Sequence, residues 1–129
     1  VLELDPDHAN ALNYLGYSYA ERGIELDAAE AFVKKALALK PESGHILDSL
    51  GWVYYKKGEF SKAVKELERA MKLLPEDPIV NEHLGDAYLK NNDKKKALAA
   101  YENALKMSPG NRELTEKIDR LKDETKASK

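Results

Sequence analysis

The stretch Ala11-Leu12-Asn13-Tyr14-Leu15-Gly16-Tyr17-Ser18 returns, altered, as Ile46-Leu47-Asp48-Ser49-Leu50-Gly51-Trp52-Val53-Tyr54-Tyr55, and again as Asn81-Glu82-His83-Leu84-Gly85-Asp86-Ala87-Tyr88. The three Leu-Gly glycines stand 35 and then 34 residues apart, and each is followed three residues later by tyrosine: Tyr19, Tyr54 and Tyr88. Small residues recur at Ala29, Ala63 and Ala97 and at Ala36, Ala70 and Ala104, and each copy closes on proline: Pro41, Pro75 and Pro109. Self-similarity at this period marks a stack of supersecondary units in which no unit can bury its apolar face alone.

Each unit reads as two helices. In the second unit Leu47, Leu50, Val53 and Tyr54 share one face of helix A, while Phe60, Ala63, Val64, Leu67, Ala70, Met71 and Leu74 follow the helical period along helix B. Gly58 between them suits a left-handed turn, and Asn92 holds that place in the third unit. Asp27 and Ser61 are expected as N-caps of helix B, and Asp77-Pro78 as a cap followed by proline at the first helical position. The spacing predicts helices near 8–22, 27–39, 43–57, 61–74, 77–91, 94–107 and 111–122. Pro6 sits one period before Pro41, so residues 1–8 read as the tail of a preceding unit. The units then run over 9–43, 44–77 and 78–111, and 112–129 forms the end. The first residue is valine, and the chain reads as a piece of a longer protein.

These columns resemble the tetratricopeptide repeat across nearly the whole chain. The resemblance implies an all-α, right-handed superhelical solenoid of antiparallel helix pairs. Two departures stand out. Asn81 fills a helix-A column that holds Leu12 and Leu47 elsewhere, so either its amide finds polar partners or helix A turns to pack Val80. The first unit has one extra residue in its turn, Gly23-Ile24-Glu25-Leu26-Asp27. Pentatricopeptide repeats have a similar period and bind RNA, but the Leu-Gly step and the net charge of −2 argue against them. From Asn111 the chain starts like a further helix A, with Leu114, Ile118 and Leu121 as one stripe in a charged background and Asp119 where a glycine would stand. This reads as a capping helix, supported by the i, i+4 pairs Glu113–Lys117 and Glu116–Arg120 and fraying after Leu121.

Helix A has a second stripe that the core is not expected to use. It comprises Asn10, Asn13, Tyr14, Tyr17, Ala20 and Glu21 in the first unit. His45, Asp48, Ser49, Trp52, Tyr55 and Lys56 follow in the second, and Ile79, Glu82, His83, Asp86, Leu89 and Lys90 in the third. The resemblance implies that this stripe lines a concave groove holding an extended or helical peptide. Tyrosine and tryptophan are enriched in binding hot spots. Glu21, Asp48, Glu82 and Asp86 outnumber Lys56 and Lys90, so the groove suits an apolar peptide carrying Arg or Lys. Trp52 is expected as the central anchor, its removal weakening binding more than folding; the other reading is that Trp52 and Tyr17 pack against the neighbouring helix A. A subclass of the family grips chaperone tails with a cationic clamp. The matching columns here are Asn13, Tyr17, Ser49, Ile79 and His83, so the clamp is missing and chaperone tails are not the expected ligand.

Other chemistries find little support. Charged residues make up 34% and hydrophobic residues 43% of the 129-residue chain, a charged protein with a core. There is no cysteine, hence no disulfide or thiolate metal site. No apolar run reaches the ~20 residues that span a bilayer, and direct membrane insertion is not expected. His45 and His83 lie near Asp48 and Asp86, where hydrogen bonding is the preferred reading over a metal site. Asp48 and Glu82 could exchange protons, but no nucleophile, phosphate loop or cofactor motif accompanies them. No cofactor is expected, and the chain reads as a non-enzymatic protein-binding scaffold. Lys94-Lys95-Lys96 reads as a solvated outer face, not a nucleic-acid site. Alternatives are an end-piece of a longer array, with recognition upstream, and a regulatory domain of a larger enzyme. The Leu-Gly segments resemble C-terminal repeats of bacterial cell-envelope proteins of this family, which makes the envelope the expected location and the cytoplasm the alternative.

Overall fold

The computed structural model describes residues 6–127, with side chains described over 8–124. It contains α1 (Pro6–Arg22), α2 (Leu26–Leu39), α3 (Gly44–Lys56), α4 (Phe60–Leu73), α5 (Pro78–Lys90), α6 (Lys94–Met107) and α7 (Arg112–Ala127), with no strand among the described residues. α1 pairs with α2, α3 with α4 and α5 with α6, and the three hairpins stack in order with α7 against α6. The expected remnant over residues 1–5 lies outside the described residues.

The glycines of the Leu-Gly steps explain why the hairpins close. A methyl group on Gly16 would run into Val33. On Gly51 it would lie 2.5 Å from Leu67 Cγ and 3.3 Å from the Ala63 carbonyl oxygen, and on Gly85 it would lie 2.6 Å from the Tyr101 ring. Helices A and B therefore touch where helix A has no side chain. Ala29, Ala63 and Ala97, all fully buried, give the matching clearance on helix B. The leucine column fills the space between hairpins: Leu50 is 4% and Leu84 2% exposed, against 38% for Leu15 at the open end of the stack.

The turns show how one extra residue is absorbed. Gly58 (φ 82) and Asn92 (φ 66) each supply the single left-handed residue of their turns, as the sequence indicates. The first turn has two, Gly23 (φ 69) and Glu25 (φ 49). The capping expectations at Asp27 and Ser61 do not hold: both lie inside their helices, and the cap positions Glu25 and Glu59 make no side-chain cap bond. Asp77 does cap α5, accepting from the amides of Ile79 (2.9 Å) and Val80 (3.2 Å). α1 is already helical at Pro6, the first described residue, earlier than expected.

Asn81 satisfies both readings of its odd position. It is 2% exposed, beside a buried Val80, and its Nδ2 donates to the carbonyls of Pro75 (3.2 Å) and Asp77 (3.0 Å). The amide thus ties α5 to the loop before it. At the far end Leu114, Ile118 and Leu121 are buried against α6. α7 stays helical to Ala127, where fraying after Leu121 was expected. Ion pairs Lys122–Glu102 (3.8 Å) and Lys94–Glu124 (3.5 Å) fasten this stretch to α6.

Two predictions follow from this packing. Gly51→Leu forces a side chain into the Leu67 contact, and overpacking of this kind typically costs about 1–3 kcal/mol. Urea denaturation should show that loss, whereas Tyr14→Ala, at an exposed position, stays near wild type. The second concerns Glu30 on α2, which is held at about 2 instead of 4.5 by hydrogen bonds from Lys34 and then Lys57, whose Nζ sits at 2.7 Å. A depressed carboxylate stabilises the fold above its unfolded value, and the gain disappears as the pH falls through the folded one. The melting-temperature gap between wild type and Glu30→Gln should therefore be full at neutral pH and close as the pH drops from about 4.5 toward about 2.

Candidate functional site

The inner face is built from α1, α3, α5 and part of α7, laid side by side. Along it, polar side chains of one helix reach carboxylates of the helix before. Trp52 on α3 donates Nε1–H to Glu21 on α1 at 2.8 Å. His83 on α5 shares a 2.9 Å hydrogen bond, through Nδ1, with Asp48 on α3. Lys117 on α7 donates to Glu82 at 2.7 Å and to Asp86 at 3.1 Å. Asp86 also accepts from the Tyr101 hydroxyl at 2.5 Å. The four carboxylates expected to receive a ligand cation each have an internal donor, because helices A pack flank to flank and bring one helix's donors onto the next one's acids.

Trp52 is the centre of this arrangement and not a free anchor. It is 8% exposed and belongs to the main core cluster. Its ring stacks on His83 with centroids 4.0 Å apart and on Tyr55 at 4.6 Å, while Lys56 Nζ lies 5.5 Å from its centroid. Of the two readings of this residue, packing against the neighbouring helix A is what the geometry shows. The expectation that the core does not use it is corrected: the indole is buried in the main core cluster, packed against His83 of the next helix A. Tyr17 is half-buried, with its ring 6.4 Å from His83. Its hydroxyl is pushed up to about 12 by burial, with help from the charges of Glu21 and Asp48.

The C-terminal half of the face is covered. Burial works against the charge on Lys117, but its bonds to Glu82 and Asp86 outweigh this and raise its pKa. Burial, followed by the Asp86 carboxylate, raises Tyr101 strongly. Lys117 lies 5.5 Å from the Tyr101 ring centroid. Lys117 turns to these carboxylates instead of the expected Glu113. Tyr55 and Leu89 are half-buried beside this junction.

The N-terminal half is open. Asn13, Tyr14, Tyr17, His45, Asp48, Ser49, Asp77 and Ile79 line a depression of about 330 Å³. Tyr14 is 74% and Ile79 58% exposed, the two most exposed large hydrophobic residues described. His45 is exposed, whereas Ser49 and Asp48 form a buried floor. The Asn13 Oδ1 atom is buried with no hydrogen-bond partner. Asn10 stands aside on the rim, where Lys40 donates to it at 3.4 Å. The sequence-predicted stripe thus divides in two. Asn13, Tyr14, Tyr17, His45, Asp48, Ser49 and Ile79 come together here, whereas Trp52, Tyr55, Glu82, His83, Asp86 and Leu89 make the joints between helices.

Lys117, Tyr101 and Asp77 were missed by the sequence reading. Lys117 lies one period after His83, so extending the stripe into α7 would have found it. Among the described residues no group of three or more His, Asp or Glu side chains is placed to hold a metal ion. No helix among them is long and apolar enough to cross a membrane. In the Lys94–Lys96 run, Lys96 sits 5.7 Å from the Tyr88 ring centroid.

Comparison with known proteins agrees with this architecture. The family model described as Tetratricopeptide repeat matches residues 1–44 and 49–112. A TPR repeat-containing protein of Pseudomonas aeruginosa is 39% identical over 69 residues, which is 54% of this chain and 12% of that protein. The chain is similar in structure to the first TPR domain of human RPAP3 (TM-score 0.87, 20% identity, 95% and 96% of the two chains). It is also similar to the first TPR of Spaghetti (RPAP3) bound to the HSP90 peptide SRMEEVD (0.86, 20%, 95% and 97%). A third similar structure is MamA (0.82, 26%, 96% and 72%). The likeness fixes the fold as a right-handed superhelical solenoid of antiparallel helix pairs closed by a capping helix.

The burial of Trp52 reverses the effect expected of its removal. Trp52→Ala empties the space between α3 and α5 and leaves Glu21 without its donor. Truncating a buried tryptophan costs about 3–5 kcal/mol, and chemical denaturation should show a loss of that order.

Proposed function

Because the chain belongs to the tetratricopeptide repeat family, we propose that it is a protein-interaction scaffold whose partner docks in the depression between α1, α3 and α5. One observation carries this reading: Tyr14 and Ile79, the most exposed large hydrophobic side chains described, flank the same depression. Exposed apolar residues are ordinary when scattered, but paired across a concavity they offer an anchor site. The floor adds polar selectivity. Asn13 Oδ1 offers an acceptor, Asp48 and Asp77 contribute negative charge, and no Lys or Arg lines the depression. The partner is an apolar segment with a donor, either an amide or the side chain of Arg or Lys.

The neighbour of the same fold holds SRMEEVD, a peptide with an acidic end. The columns where the family's clamp would grip such an end hold Asn13, Tyr17, Ser49, Ile79 and His83 here. With two carboxylates in the lining, an acidic tail meets repulsion, not a clamp. A second reading, a section of a longer array, is favoured by Leu15, whose column is buried in the later hairpins but 38% exposed here. A preceding hairpin would cover it. The two readings are compatible, because Leu15 and the depression are separate surfaces.

The test is selection of a peptide from a displayed library with the wild-type chain, followed by fluorescence anisotropy with the labelled peptide. Tyr14→Ala and Ile79→Ala should each weaken binding about tenfold or more, equal to about 1.4 kcal/mol, with melting temperatures little changed. SRMEEVD should not compete. Unchanged affinity in the folded Tyr14→Ala, Ile79→Ala double variant would move the site elsewhere.

A further inference from the structure

The joint between the second and third hairpins is built around a buried histidine. His83 is 8% exposed, its Nδ1 lies 2.9 Å from Asp48 Oδ1, and its ring lies 4.0 Å from the Trp52 ring at an interplanar angle of 18°. Trp52 in turn bonds to Glu21. One side chain on α5 is thus connected through α3 to α1, and direct α3–α5 packing elsewhere is sparse.

We propose that His83 is a proton-sensitive joint: its protonation tightens α5 against α3 and takes hold of Asp48, a carboxylate of the depression. As neutral imidazole, His83 gives Asp48 an ordinary hydrogen bond. As imidazolium, it makes a charge-assisted one, typically shorter and stronger. It also sets a cation on the face of an indole, the best aromatic partner for one. Burial opposes the charge, and the groups around the joint decide the balance. They are Tyr17 and Glu21 from α1, Asp48, Tyr55 and Lys56 from α3, and Glu82 and Asp86 on α5 itself. Tyr101 from α6 and Lys117 from α7 complete the set. Lys117 is held by Glu82 and Asp86, and its charge is spent there. Lys56 lies against the indole at 5.5 Å and is exposed. Asp48 Oδ1 meets the His83 ring nitrogen, and Glu21 accepts from the Nε1–H at the edge of the indole on which His83 stacks.

Asp48 both bonds His83 and lines the depression. A proton on His83 and a cationic group of the partner therefore compete for one carboxylate, and partner affinity falls as the pH drops. This consequence rests on the depression being the partner site; the joint itself does not.

Trp52 is the single tryptophan of the chain, so its emission reports the stack directly. Histidine is the side chain whose charge changes between about pH 5 and 8, and the experiment is a fluorescence titration of the full chain over that range. Wild-type emission should fall through a one-proton transition as the pH drops, because an imidazolium on the indole face quenches it. The transition should persist in His45→Gln, be absent in His83→Gln and move to lower pH in Asp48→Asn. Stability should follow with the matching sign. If protonation tightens the joint, His83→Gln lowers the melting temperature more at the acid end than at the alkaline end, and equal losses at both ends overturn the proposal. If His83→Gln does not fold, Asp48→Asn alone decides. A flat wild-type titration, or a transition that survives in His83→Gln or is unmoved in Asp48→Asn, overturns the proposal. No partner is used, so failure here leaves the docking site standing, and a failed peptide selection leaves the joint standing.

Discussion

Everything in this molecule depends on a contact made where a side chain is missing. At Gly16, Gly51 and Gly85 helix A has no Cβ, and Val33, Leu67 and Tyr101 of the partner helix fill the space. These three residues recur every 34 residues, and their sizes differ widely. The glycines are the constant element; the filler is adjustable. Glycine inside a helix is unfavourable by roughly 0.5–1 kcal/mol relative to alanine, so the close approach must return more than that in buried area. It does so by placing the fully buried Ala29, Ala63 and Ala97 against the same seam. Once each hairpin is this thin, the leucine and tyrosine columns on its flanks can meet the next hairpin, and stacking follows.

Stacking has a polar half as well as an apolar one. The separations Glu21–Trp52 and Asp86–Lys117 are both 31 residues, while Asp48–His83 and Glu82–Lys117 are both 35. Each pair sets a donor against an acid on the helix before, about one turn apart in the two registers. Indole, imidazole and ammonium are chemically unrelated donors, yet they meet the same kind of acceptor. A slip of one hairpin by a turn would leave Asp48, the buried acid among the four, without its donor, at a cost of about 1–3 kcal/mol or more. The apolar columns tolerate such a slip far better. These donor–acid pairs therefore help to set register along the stack.

The sequence was most legible where period and backbone chemistry agree. The Leu-Gly columns, the left-handed positions Gly58 and Asn92, the Asp77-Pro78 start and the apolar stripe of α7 all have local causes, and the structure matches them. Reading failed where the cause is tertiary. Asp27 and Ser61 have capping chemistry but sit inside helices that begin one residue before them, at Leu26 and Phe60. Trp52 has the composition of a hot spot, and a single-helix projection cannot show that the adjacent helix A lies against that flank. Lys117 belongs to the last helix, where the pattern weakens, yet it closes half the inner face. The stripe was visible residue by residue; its division into joints and an open depression required the angle between neighbouring helices.

That division also limits what the inner face can recognise. Donor–acid pairs consume the polar groups of the helix-A centres, and α7 covers the last pair. What stays open is the N-terminal third of the inner helices, where Tyr14 and Ile79 face solvent over the buried floor of Asp48 and Ser49. Of the floor groups, Asp48 alone is shared between a joint and the depression. Asp48 Oδ1 meets His83 of α5, and the same side chain lines the floor of the depression, so one carboxylate belongs to both.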